Sequence, residues 1–68
     1  MSAAREATLT AVQDVRKDAA LVVELCDAAV YGVRFEREQA LRQLPQALRR
    51  LAVTMPRALT ALDREGIR

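Results

Sequence analysis

Three groups of residues in this chain have types that could do chemistry: a thiol at Cys26, carboxylates at Asp14, Asp18, Glu24 and Asp27, and a run of arginines along the second half. A thiol attacks as the thiolate, which needs a base or a cation beside it. The chain has no His, and the neighbours of Cys26 are Leu25 and Asp27. Cys26 therefore reads as a small core residue on a helix, not a nucleophile. Among the carboxylates, Asp14 and Asp18 share one helix face, but Glu24 and Asp27 project about 100° or more away from them. A ferritin-like di-iron centre would also use Glu-x-x-His, which is absent. Solvated or ion-paired acids are expected, with Asp18, at the border of the apolar arc, pairing with an arginine of the second helix. No catalytic, metal or cofactor motif is present, so neither an enzyme nor a cofactor is expected.

The arginines carry more information. Arg42, Gln46, Arg49, Arg50, Arg57 and Arg64 share one side of a helix, and no acidic residue lies between Glu38 and Asp63. Such an array can follow a phosphate backbone, with Gln39, Gln43 and Thr60 as neutral donors. Aromatic side chains that could stack on unpaired bases are confined to Tyr31 and Phe35. No helix-turn-helix signature is present. Arg42, Arg49, Arg50 and Arg57 are thus possible polyanion-binding residues, with solvent or a protein partner as the preferred use of that face.

The elements that would position these groups follow from periodicity. Leu41, Leu44, Leu48, Leu51, Met55, Ala58 and Leu62 recur in alternating steps of three and four, the spacing of one helical stripe. Val12, Val15, Ala19, Val22, Cys26 and Ala29, continued by Val33, form a second such ladder. Val23 and Val30 widen it on one side and Leu25 on the other, to an arc of roughly 160° that one neighbouring helix cannot cover.

The spacing predicts a first helix over about residues 3–31, capped by Ser2 and with Glu6 near its positive end. A later start at Thr10, with Gln13 at capping-box spacing, is the alternative. Gly32 is expected to end this helix in the left-handed conformation, with Val33 folding back. Phe35 would then plug the open end of the hairpin. The second helix is predicted over about residues 35–65, kinked or broken at Pro45. A break would make Pro45 the first residue of a third helix. At the far end, Gly66 followed by Ile67, with Leu62 four residues before the Gly, has the pattern of a Schellman turn. The chain stops two residues after that Gly, so no further domain is expected.

Size and charge bound the assembly. The chain has 68 residues, and 13 of its apolar residues are Ala, which fill little volume. Chains this short seldom build a sufficient core without disulfides, metal or self-association. One Cys and no His leave self-association. Residues 1–33 carry a net charge of −2 and residues 34–68 a net charge of +4, so the two halves attract in an antiparallel pair. The N-terminus lacks a basic region followed by an apolar run. The most apolar window, Ala19–Val30, is interrupted by Glu24 and Asp27 and is shorter than the roughly 20 residues a bilayer needs. A soluble, cytoplasmic chain without a membrane partner is expected.

The sum is an all-α antiparallel helical hairpin forming one domain over residues 1–68, dimerising into a four-helix bundle. Its expected oligomer interface is Val15, Val22, Leu25, Leu44, Leu48, Leu51, Met55 and Leu62, with Leu48 and Leu51 at the centre of the core. Small RNA-binding dimers share this size and architecture, an analogy of fold alone. The expected role is a non-enzymatic interaction module, an adaptor, regulator or assembly subunit that binds itself and another protein through a helix face. An RNA- or DNA-binding dimer using the arginine face is the alternative.

Overall fold

The computed structural model describes residues 2–67. Helix α1 spans Ala3–Tyr31 and helix α2 spans Arg34–Arg64, joined by a tight connection at Gly32 and Val33. The two helices pack antiparallel as a hairpin, and no strand occurs among the described residues. Between Ala3 and Tyr31 no Gly or Pro interrupts the helix-favouring residues. The Ser2 hydroxyl accepts from the Arg5 N–H at 3.2 Å, so α1 starts at Ser2 and not at Thr10. The far end of α2 closes as a Schellman turn. The Ile67 N–H donates to the Leu62 carbonyl and the Gly66 N–H to the Asp63 carbonyl, both at 3.0 Å, with Gly66 at φ 75°.

Gly32 does end α1, but in an extended conformation (φ −74°, ψ 163°), not a left-handed one. Its N–H donates to the Ala28 carbonyl at 3.0 Å. Glycine is needed there for close approach: a Cβ would overlap the Ala28 carbonyl oxygen and crowd the Glu36 side chain. Val33 then caps α2 without any side-chain hydrogen bond. Phe35, expected to plug the hairpin, is 72% exposed. It sits in the first turn of α2 on the side away from α1. Through Pro45 and Pro56 α2 stays one helix, so no third helix forms. Both prolines are exposed, where a carbonyl left without its helical N–H partner can take water.

The contact between the helices is rotated by about half a residue from the ladders read in the sequence: Val15, Val22 and Ala29 on α1 and Leu44, Leu51 and Ala58 on α2 stay in it, and the alternate rungs turn out of it. On α2 the buried or half-buried positions are Gln39, Ala40, Leu44, Ala47, Leu51, Thr54, Ala58, Ala61 and Leu62. Ala40 and Ala47 are each 3% exposed, whereas Leu48, expected at the centre of the core, is 49% exposed, and Leu41 and Met55 are open as well. On α1 the seam is Thr8, Ala11, Val15, Asp18, Val22, Leu25 and Ala29, while Val12, Cys26 and Val33 are exposed. Cys26 is thus a surface thiol and not the core residue its ladder implied. The physical reason is size. Ala40, Ala47 and Ala58 alternate with Leu44 and Leu51 along the seam and let the two backbones approach closely, and Leu41, Leu48 and Met55 are then left on the flank. Leu25, Ala40 and Ala47 form the core cluster, with Val22, Ala28, Ala29 and Leu44 packed against it.

Candidate functional site

Because each helix turns about 100° per residue, the flanks of the seam are fixed once the seam is known. Leu41, Leu48, Met55 and Leu59 of α2 project roughly 70–110° to one side of it. In an antiparallel hairpin that side faces the same way as Val12, Val23, Cys26 and Val30 of α1. All seven Leu, Met and Val residues are at least 40% exposed. They make one apolar flank running along both helices. Of the interface residues read from the sequence, Leu48 and Met55 lie on this flank. Val15, Val22, Leu25, Leu44, Leu51 and Leu62 are buried or half-buried along or beside the seam within one chain.

The opposite flank is polar. Asp14, Lys17 and Asp18 of α1 and Gln46, Arg49, Arg50, Val53, Thr54 and Arg57 of α2 line an open groove of about 620 Å³. Asp18 reaches into the seam, where its Oδ2 accepts a hydrogen bond from the Thr54 hydroxyl at 3.0 Å. Its partner is therefore Thr54 and not the arginine expected. Arg49, Arg50 and Arg57 are exposed and line this one groove. Arg42, also exposed, lines a separate recess with Arg34, Phe35, Glu38 and Gln39. Among the described residues no three His, Cys, Asp or Glu side chains gather as metal ligands, and Glu24 and Asp27 stay on the exposed back of α1. The groove-lining role of Lys17, Val53 and Thr54 was missed in the sequence, although Asp14, Lys17 and Asp18 at steps of three and one on the border of a ladder are a signal for it.

At the open end a second polar contact ties the helices. The Arg5 Nε donates to Glu65 Oε1 at 2.7 Å, while Glu65 Oε2 is shielded from water and lacks a geometric partner. Thr8 is buried beside it and its hydroxyl donates to the Ala4 carbonyl at 3.0 Å. That hydroxyl carries a single proton, and rotating it toward Glu65 would satisfy the second oxygen. With its proton turned to Glu65, the Thr8 hydroxyl, and then the Arg5 guanidinium, hold the Glu65 carboxyl below its ordinary 4.5, against the opposing effect of desolvation.

No helix of the described residues is long and apolar enough to cross a membrane. Comparison with known proteins matches the chain to no family model, no curated protein and no solved structure.

Proposed function

We propose that the chain is a non-enzymatic helical interaction module that works as a homodimer, two hairpins meeting through their apolar flanks as a four-helix bundle. The observation that carries this reading is the flank itself. It leaves Leu41, Leu48, Met55 and Leu59 with Val12, Val23 and Val30 open along both helices, while the fully buried apolar residues of the seam are only Leu25, Ala40, Ala47 and Ala58. Area supports a second copy as the occupant. A folded monomer of 7.6 kDa ordinarily exposes about 4,300 Å², and this chain exposes 5326 Å². The excess, about 1,000 Å², is close to the roughly 800 Å² each partner buries in a stable interface. The dimer in turn presents its polar flanks to another protein, as an adaptor, regulator or assembly subunit does.

Cys26 supplies the test, since it lies on the apolar flank and is exposed in the single hairpin. Its reaction with a thiol reagent is expected to slow as protein concentration rises, and to become fast and concentration-independent in Leu48→Glu. Fast reaction at every concentration in the parent protein would contradict this reading.

The alternative, an RNA- or DNA-binding dimer, draws on Arg49, Arg50 and Arg57 lining one groove. Asp14 and Asp18 in the same groove weigh against it, because they repel phosphates. Binding to duplex RNA or DNA with a steep loss in salt would favour it.

A further inference from the structure

We infer that the polar groove is a docking site for an acidic helical segment of another protein. The inference rests on reading the chain as an interaction module, but not on its self-association, which uses the opposite flank. The groove is polarised across its width. Its α2 wall carries Arg49, Arg50 and Arg57, a charge of +3, while its α1 wall carries Asp14, Lys17 and Asp18, a charge of −1. Among the described residues none of the four cations forms a salt bridge or a side-chain hydrogen bond, although two carboxylates line the same groove. Asp18 is held at the seam by the Thr54 hydroxyl, which donates to its Oδ2 at 3.0 Å.

Charge of this pattern selects its occupant. A nucleic-acid backbone carries phosphates of one sign along its whole length and would set some of them against Asp14. A helical peptide carries different residues on its two edges. It can place Glu and Asp against the α2 wall and a donor or base against Asp14, with an apolar residue over Val53, which is 49% exposed. From Gln46 to Arg57 the groove follows α2 for about 16 Å, or three turns, enough for Glu side chains at i, i+4 and i+7 of a partner helix.

The test is fluorescence anisotropy with two labelled probes, a helical peptide of about 15 residues with one Glu stripe and an RNA duplex of similar charge. At about 150 mM salt, where exposed charges more than about 8 Å apart are screened, the peptide is expected to bind the parent protein. The double variant Arg50→Ala, Arg57→Ala should bind it about fivefold to tenfold more weakly, because each exposed pair contributes modestly. Both side chains are exposed, so helicity by circular dichroism should not change. The result is overturned if the peptide does not bind, if the double variant binds it equally well, or if the duplex binds more tightly than the peptide. Light scattering on the same samples separates the two readings. Loss of peptide binding with self-association intact removes the groove alone, and peptide binding by a monomer keeps the groove while removing the dimer.

Discussion

Ala40, Ala47 and Ala58 are the most buried residues of α2, while Leu41, Leu48 and Met55, one residue on or three residues before, stand open. Ala47→Leu is therefore expected to destabilise the hairpin by about 1–3 kcal/mol through overpacking, read from urea unfolding followed by circular dichroism. Leu25→Ala, at the centre of the core cluster, should cost about 2–5 kcal/mol in the same measurement. An Ala47→Leu variant as stable as the parent would return the seam to the Leu48 side. Both stripes obey the three-four rule, so periodicity alone cannot separate them. Hydropathy ranks Leu above Ala, and the close approach that small residues permit has no louder signature in sequence. The Glu65 contact was equally silent, because Arg5 and Glu65 are 60 residues apart. Its carboxyl is held below 4.5 by Thr8 and Arg5. A lowered folded value means stability that is full above the unfolded value and is lost as pH falls through the folded one. Stability should thus decline below about pH 4.5, and Glu65→Gln should flatten that part of the pH profile.

The ends of the helices were the most legible features, because capping is local chemistry. Ser2 and the Gly66–Ile67 pair state their roles within four residues. Gly32 marked the right place for a different reason: the connection closes on the Ala28 carbonyl, and contact across the bend needs a residue without a Cβ. Gly32→Ala is expected to lower stability by about 1–3 kcal/mol, measured by thermal unfolding, even though φ at this position suits any residue. A neutral outcome would show that the bend has room for a methyl group. Pro45 was ambiguous because local rules describe what a proline removes from a helix and not what neighbouring turns retain. Since α2 runs through it at an exposed position, Pro45→Ala should restore the lost N–H and raise stability by up to about 3 kcal/mol. A loss of stability would mean that the proline shapes α2 to its partner.

At the scale of the whole molecule the hairpin is a rod of 48 × 18 × 17 Å, with a radius of gyration of 15.0 Å. A compact domain of this length would have a radius of about 11 Å. The all-helical hairpin was legible because one glycine separates two long apolar ladders. Which flank of each ladder meets its neighbour was not, since that choice depends on contacts between residues far apart in the chain. The rod buries little and leaves one side of both helices apolar, and a core of this size rarely supplies more than about 3–5 kcal/mol. We propose that a second copy covers that side. Light scattering on a sizing column, run over a range of micromolar concentrations, measures it directly. The parent protein is expected to elute with twice the 7.6 kDa chain mass, and Leu48→Glu with Met55→Glu as a less stable species of single-chain mass. A parent protein of single-chain mass at every concentration, with a cooperative melt that the two substitutions leave unchanged, would contradict it.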